Sequence, residues 1–260
     1  MFASRSCLSG IIISIVLGVG FASNVSAQSS LKDWICRVLG IRVQTYNRLS
    51  QVRPGEEEPT LGARLMRLKL SESQEKLVWQ CDGCWSPVAL SETEAAVLRR
   101  DGIWLVPLAE RAPAPTEPRI GAQNIVAIIG LLDRKSKQVI VAQRNNRPGC
   151  AYVLLQANLS NGEIKELEGP AERCLQGPNQ LLMTINAGRL RDDKLLFAPR
   201  NKSDTPRTLW RGIYTQRQGS DNLDYRSESL LPAIDRNDDG VDRYDPNWIS
   251  ADEIIYVANP

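Results

Sequence analysis

The segment from Cys84 to Leu108 constrains the fold most, because it has the pattern of consecutive short β-strands. A Trp85-Ser86-Pro87 corner is followed by the apolar run Ala95–Leu98. An Asp101-Gly102 turn then leads into a second apolar run, Ile103–Leu108. Short apolar runs bounded by Pro and Asp-Gly turns are typical of antiparallel sheets. The segment therefore predicts one small antiparallel sheet.

An apolar second strand recurs along the chain and indicates a structural repeat. Its four copies are Ala95–Leu98, Val139–Ala142, Leu195–Ala198 and Ile254–Val257. The copies start 44, 56 and 59 residues apart, which suits four-stranded propeller blades with loops of variable length. The sequence therefore predicts an all-β fold, a small β-propeller-like array of about four antiparallel blades. A β-sandwich with coincidental spacing is the alternative.

The two ends of the repeat region complement each other, which predicts a closed ring. The last unit has only its first two strands, which begin at Asn247 and Asp252. Near the start, Arg64–Leu70 and Leu77–Trp79 have the pattern of the last two strands of a unit. Sharing one blade between the ends would remove exposed sheet edges.

Two local assignments follow from the same pattern. The apolar run Leu181–Ile185 is interpreted as the first strand of the third unit, after the Gly177-Pro178 turn. The tryptophans that recur at strand positions are expected to pack within the sheets, and not to line a catalytic cleft. They are Trp85, Trp104, Trp210 and Trp248.

The N-terminal 27 residues have the pattern of a secretory signal peptide. Arg5 precedes an apolar run from Leu8 to Gly20, and the small residues Val25 and Ala27 suit a signal peptidase. We expect cleavage before Gln28, export to the periplasm or the extracellular space, and no stable membrane span in the mature chain. An uncleaved anchor helix is the alternative, although the apolar segment is shorter than the roughly 20 residues that cross a bilayer comfortably.

The region between the signal peptide and the repeats is expected to form a helix and a linker. Apolar residues at helical spacing predict a short amphipathic helix over residues 28–40. A polar, proline-containing stretch then completes an N-terminal helix and linker region over residues 28–60. The β-propeller-like domain is expected at residues 61–260.

The cysteines are interpreted as disulfide partners, because the chain is expected to be exported. Cys150 and Cys174 bracket one four-strand unit and are the pair favoured first. Cys81 and Cys84 have the spacing of a redox motif, which leaves a thioredoxin-like activity as an alternative. That motif acts from a helix N-terminus, whereas the sequence here predicts a turn and a strand. Cys36 makes the number of cysteines in the mature chain odd.

The strand pattern resembles the TolB-type β-propeller repeat. Trp85-Ser86-Pro87 with Ile103–Val106 matches that repeat best, and Trp248-Ile249-Ser250 with Ile255-Tyr256 matches it in part. Asn161-Gly162-Glu163 supplies a turn like the one before its fourth strand. The resemblance covers residues 60–260 approximately. It implies a propeller that binds proteins or ligands on its faces.

The composition excludes several classes of chemistry. The chain contains no histidine, which removes Ser-His-Asp and Cys-His nucleophile systems and almost all catalytic zinc sites. Its 32 basic and 30 acidic residues leave a net charge of +2, so no nucleic-acid partner is expected. Paired carboxylates at Asp192-Asp193 or Asp238-Asp239 are interpreted as polar turns, although such pairs could serve a glycosidase.

The loop from Asp235 to Asp245 is the most site-like stretch of the sequence. Oxygen-bearing side chains at alternate positions, with glycine in the sixth place, can wrap a hard cation. We expect Ca²⁺ as the cofactor, although position twelve is a proline and not the glutamate of a helix-flanked calcium loop. The expected ligands are Asp235, Asn237, Asp239, the carbonyl of Val241, and Asp242 or Asp245. A solvated acidic turn without metal is the alternative.

These observations lead to two functional hypotheses of different classes. The first is an exported, non-catalytic propeller that binds a protein or an envelope component. The second is an exported, glycosidase-like hydrolase that uses paired carboxylates. Two or more acidic side chains that converge in one deep pocket would favour the second hypothesis. A broad face lined by Trp and Arg, without such a pair, would favour the first.

Overall fold

Four antiparallel sheets, a helix and short connections make up the part of the chain that the structure describes. The structure is a computed structural model and describes residues 62–109, 112–167, 174–198, 206–216, 223–231 and 240–260. The strands are β1 (Arg64–Lys69), β2 (Gln74–Gln80), β3 (Trp85–Ala89), β4 (Glu94–Arg99), β5 (Gly102–Pro107), β6 (Ile120–Gly121), β7 (Ile125–Asp133), β8 (Gln138–Arg147), β9 (Cys150–Asn158), β10 (Glu163–Glu166), β11 (Cys174–Leu175), β12 (Leu190–Arg191), β13 (Lys194–Phe197), β14 (Trp210–Gln216), β15 (Leu223–Ser229), β16 (Asp242–Trp248) and β17 (Glu253–Asn259). The helix is α1 (Pro178–Gly188).

The four sheets form a propeller-like ring. Blade 1 has the strand order β16-β17-β1-β2, blade 2 β3-β4-β5-β6, blade 3 β7-β8-β9-β10 and blade 4 β12-β13-β14-β15. The short strand β11 also pairs with β9 in blade 3. The apolar repeat identified in the sequence lies in β4, β8, β13 and β17, the second strand of every blade. The predicted all-β, four-bladed arrangement is therefore confirmed, whereas the expected signal peptide and the helix at 28–40 lie outside the described residues.

The ring closes through blade 1, as the sequence predicts. The first described strand, β1, pairs antiparallel with the last, β17, from Arg64 opposite Ala258 to Lys69 opposite Glu253. Arg67 in β1 also donates a hydrogen bond to the carboxylate of Glu253. Both faces of this blade are buried. Leu65 and Ile255 pack toward blade 2, and their strand neighbours pack toward blade 4.

The segment Leu181–Ile185 is helical, so its assignment as a strand is wrong. A short apolar run cannot distinguish helix from strand by periodicity alone. Pro178 at the first helical position and Gly188 at the last are the flanking residues that favour a helix. Leu181 and Ile185, four residues apart on one helix face, are buried against blade 3.

Helix α1 directly precedes blade 4 in the chain and packs on blade 3. Blade 4 begins with β12, which has only two residues. One face of blade 3 packs on blade 2 and the other on α1. This two-sided burial explains why β7 has an almost continuously apolar sequence. In the described residues no helix is long and apolar enough to cross a membrane, and α1 has only 11 residues.

Two disulfides join elements at the ends of strands. Cys150–Cys174 links β9 to β11 within blade 3, which confirms the pair favoured from the sequence. Cys81–Cys84 lies in the segment between β2 and β3, which connects blade 1 to blade 2. Both cysteines are buried in the core between these blades. Trp85 opens β3 directly after Cys84, so no helix follows the motif.

The recurrent tryptophans lie in strands, and most of their surface is covered. Trp104 and Trp248 are buried, whereas Trp85 and Trp210 are half-buried. Each indole N–H has an acceptor, which for Trp85 is the carbonyl of Val126 in the next blade. Trp104 packs against Trp79 with 5.5 Å between ring centroids. The guanidinium of Arg99 lies over the Trp104 ring at 4.6 Å.

Candidate functional site

Polar groups from all four blades meet where the first strands of the blades approach one another. The backbone N–H of Ser86 in β3 donates to Asp245 Oδ2 in β16 over 3.0 Å. Ser86 Oγ bonds both the N–H and the C=O of Ile128 in β7, each over 3.2 Å. Arg189, directly before β12, donates from Nη2 to Asp245 Oδ1 over 2.6 Å. We call Ser86, Ile128, Arg189 and Asp245 the axial cluster.

Helix α1, which precedes blade 4, contacts blade 3 through backbone as well as through its apolar side chains. A Cβ built on Gly188 would lie 1.8 Å from the carbonyl oxygen of Ile129. Only glycine permits so close an approach of α1 to β7. The next residue along the chain is Arg189, so this contact also places the arginine of the axial cluster.

Breaks in strand pairing explain why these polar groups face the neighbouring blades. Ser86 and Asp245 each precede a proline and have positive φ angles of 53° and 52°. The pairing register shifts between Trp85 and Val88, and again between Tyr244 and Asn247. A bulge releases a backbone group from its own sheet, and proline has no N–H to restore the pairing. The released N–H of Ser86 therefore reaches Asp245 in blade 1.

The axial ion pair is mostly withdrawn from water but remains accessible. The side chain of Arg189 is 11% exposed and that of Asp245 is 28% exposed. A guanidinium carries five N–H donors, and one donor bond of Arg189 is to Asp245. Within the described part of the chain, its other side-chain donors have no protein acceptor. Asp245 accepts one bond on each oxygen and retains further acceptor capacity.

The predicted calcium ligands fall into two groups. Asp235, Asn237 and Asp239 lie outside the described residues. In the other group, the carbonyl of Val241 accepts from Arg243 Nη1 over 3.3 Å, and Asp245 belongs to the axial cluster. Across the ranges described, no group of three or more His, Cys, Asp or Glu could hold a metal ion. The calcium site thus stays a prediction.

Asp242 forms a second ion pair at the junction of blades 1 and 4. It accepts from Arg207 Nε over 3.0 Å and from Arg207 Nη2 over 2.6 Å. The same guanidinium lies 4.3 Å from the centre of the Tyr244 ring. Arg207 is buried, so this bidentate pair holds the two blades together.

A third polar network crosses blade 1. Arg243 Nε donates to Glu75 Oε1 over 2.9 Å, and the hydroxyl of Tyr256 also donates to Glu75. Tyr256 is completely buried. Burial, followed by the nearby Glu75 charge, raises the pKa of the Tyr256 hydroxyl far above its ordinary value. Its hydroxyl therefore remains a hydrogen-bond donor over the physiological range.

The paired carboxylates do not form a common site in the described residues. Asp192 and Asp193 are exposed in the turn between β12 and β13, as the turn interpretation predicts. Asp238-Asp239 lies outside the described residues. Sequence reasoning missed Arg189 and the role of Ser86. The available signal was the similarity of Tyr244-Asp245-Pro246 to Trp85-Ser86-Pro87, an aromatic residue and a polar residue before proline.

The closed ring of four sheets and its axial cluster define a four-bladed β-propeller-like protein. Comparisons of the chain with protein-family models, with curated proteins and with solved structures find no match. The fold is therefore established by the strand pairing of this chain itself.

Proposed function

We propose that this chain is an exported, non-catalytic β-propeller-like protein of the TolB type that binds a protein or an envelope component. The axial cluster is the observation that carries the proposal. It presents an arginine and a carboxylate side by side, at a point to which all four blades contribute. The fold alone would not justify a function, so the proposal depends on the chemistry of these groups.

The ion pairs favour recognition over acid–base catalysis. A glycosidase needs one carboxyl group that donates a proton and a second that acts as base or nucleophile. Asp245, Asp242 and Glu75 each accept hydrogen bonds from an arginine instead. An arginine-bound carboxylate presents acceptors in a fixed geometry, which suits the positioning of a bound group.

The proposal includes a calcium ion in the loop from residue 235 to 245. Asp235, Asn237 and Asp239 supply the alternating oxygens, and Gly240, with a φ of +68°, supports a sharp turn after them. Asp242 and Asp245 would contribute only by exchanging their arginine partners for the ion. The ion would stabilise the connection between blades 4 and 1, and would have no catalytic part.

The test uses the mature protein purified from its native compartment. It is immobilised and exposed to envelope extract, and the retained components are identified and then purified. We expect at least one component to bind saturably and to be recovered chemically unchanged. Two results would oppose the proposal: absence of saturable binding to any retained component, or time-dependent cleavage of that component by the protein.

A further inference from the structure

Arg189 has more hydrogen-bonding capacity than the protein uses. Its side chain is 11% exposed, and its guanidinium donates a hydrogen bond to Asp245. In a protein interior, donors without acceptors are costly, and donors of a charged group are costlier still. In the described part of the chain no further acceptor reaches this guanidinium. The unused donors are therefore available to a ligand group that accepts hydrogen bonds.

Asp245 decides what kind of ligand fits. Its Oδ1 accepts a hydrogen bond of 2.6 Å from Arg189 Nη2. The side chain of Asp245 is more exposed than that of Arg189. A simple anion that approaches Arg189 is repelled by Asp245, and a simple cation that approaches Asp245 is repelled by Arg189. A ligand that carries both charges finds a partner for each.

The spacing of the two charges restricts the ligand further. Because the charged groups of Arg189 and Asp245 are in direct contact, the complementary charges of the ligand must also be close together. An ammonium group and a carboxylate on the same carbon meet this condition. The charges at the two ends of a peptide do not.

We infer that the axial cluster binds an α-amino carboxylate group, with the carboxylate at Arg189 and the ammonium at Asp245. Arg189 accepts the carboxylate with its unused donors, in the planar geometry that arginine offers to carboxylates. Asp245 is held in place by the Ser86 N–H while its free acceptor capacity takes the ammonium. This inference rests on the proposed binding function and specifies the chemistry of the recognised group. That group belongs either to a free amino acid or to a side chain of a larger envelope molecule.

The test measures binding of small probes to the mature protein by titration calorimetry at pH 7. Alanine carries both charges on one carbon, whereas acetate and methylammonium carry one each. Glycylglycine carries both charges far apart. We expect alanine to bind at least about tenfold more tightly than any of the other three probes. Equal affinity for alanine and acetate would overturn the inference. So would the absence of binding by both alanine and Nε-acetyl-lysine, an α-amino carboxylate with a longer substituent.

Two variants and a matched control assign the site. Arg189→Gln and Asp245→Asn each remove one charge and retain hydrogen-bonding capacity, and both should weaken alanine binding about tenfold or more. Arg191→Gln removes a nearby arginine outside the cluster and should leave binding unchanged. Far-UV circular dichroism verifies that each variant is folded. Should Arg189→Gln perturb the fold, Asp245→Asn and the probe series still decide. Alanine affinity unchanged in folded Asp245→Asn would overturn the site.

A further probe distinguishes the two sources of the group. Nε-acetyl-lysine has the same α-amino carboxylate on a long substituent. Binding at least as tight as that of alanine indicates a side chain of a larger molecule, whereas its exclusion indicates a free amino acid, and either result supports the inference. If the retained envelope component binds Arg189→Gln and Asp245→Asn as well as the parent, the proposed function stands and the axial site is refuted.

Discussion

The backbone N–H of Ser86 donates to the carboxylate of Asp245, and the two residues occupy the same position in neighbouring blades. Each follows an aromatic residue, precedes a proline and adopts a positive φ at a break in strand pairing. A positive φ in a residue other than glycine is uncommon and costs about 1–3 kcal/mol. At both positions this cost is accompanied by a hydrogen bond between neighbouring blades.

The polar network of blade 1 predicts a characteristic dependence of stability on alkaline pH. Burial raises the pKa of Tyr256 in the folded protein above its ordinary value of 10.0. The unfolded chain loses this proton near pH 10 while the folded chain retains it, so stability present below pH 10 is lost as the pH rises further. We expect the free energy of unfolding, measured in urea between pH 8 and 11.5, to fall more steeply in the parent than in Tyr256→Phe. Identical pH profiles would contradict this assignment.

The contact between α1 and β7 predicts an unusual effect of alanine. In general, replacing a helical glycine with alanine is stabilising. At Gly188 the added Cβ would meet the Ile129 carbonyl oxygen at 1.8 Å, so Gly188→Ala should destabilise the protein by about 2–3 kcal/mol through overpacking. Gly177→Ala is the control, because a Cβ there meets no atom within 4 Å. Denaturant unfolding of both variants measures the difference, and equal stabilities would argue against the close contact.

The ion pair between blades 1 and 4 predicts a large loss on removal of one partner. Asp242→Asn removes the negative charge that accepts two side-chain hydrogen bonds from Arg207, whose side chain is only 7% exposed. The cost should be on the order of 3 kcal/mol, as for other buried pairs that lose one member. Asp193→Asn, in an exposed turn, should change the free energy of unfolding by less than about 0.5 kcal/mol. A small effect in both variants would show that the blade junction does not depend on this pair.

The two disulfides should differ in their contribution to stability. Cys150 and Cys174 are 24 residues apart and Cys81 and Cys84 only three, and a longer closed loop restricts the unfolded chain more. Chain-entropy arguments give about 3.5 kcal/mol for the first and about 2 kcal/mol for the second. Unfolding of Cys150→Ala/Cys174→Ala and of Cys81→Ala/Cys84→Ala measures both. The reverse order would mean that native contacts across the blade 1–blade 2 connection outweigh loop entropy.

The calcium loop predicts weak binding that depends on residues 235 and 239. We expect titration calorimetry of the mature protein to give a dissociation constant on the order of 10⁻⁴–10⁻³ M, as in extracellular calcium modules. Asp235→Ala and Asp239→Ala should abolish the heat, and Asp193→Asn should retain it. The site would be excluded if the parent protein showed no heat of calcium binding, or if both variants showed the same heat as the parent.

The repeat was predictable because the second strand of each blade is buried on both faces. Such strands have apolar runs that survive variation in loop length, so Ala95–Leu98 and Ile254–Val257 could be matched across the chain. The closure of the ring followed from the same pattern, since the unpaired strands at the two ends complete one blade. In contrast, Leu181–Ile185 has a run too short to separate helix from strand, and its flanking proline and glycine were the better guides.

The axial cluster could not be predicted because its members come from four distant segments. Arg189 follows α1 and has no local signal for an ion pair with Asp245. In the sequence, Trp248-Ile249-Ser250 resembles Trp85-Ser86-Pro87 through its tryptophan. The structural equivalent of Trp85-Ser86-Pro87 is Tyr244-Asp245-Pro246. An aromatic side chain can recur at several strand positions, whereas a polar residue before proline stands at the break in strand pairing in both blade 1 and blade 2.

The pairing of β1 with β17 has a consequence for the order in which the protein matures. Among the described strands, the hairpin β1–β2 is synthesised before all others, whereas β17, which completes its sheet, is synthesised after them. Until then its open edge can pair with other chains, and its contacts are among the most distant in sequence that the fold contains, which slows folding. A chain interrupted before Glu253 would leave this edge exposed permanently. Strand β17 therefore both completes the sheet of blade 1 and covers the edge of β1 that would otherwise be open to other chains.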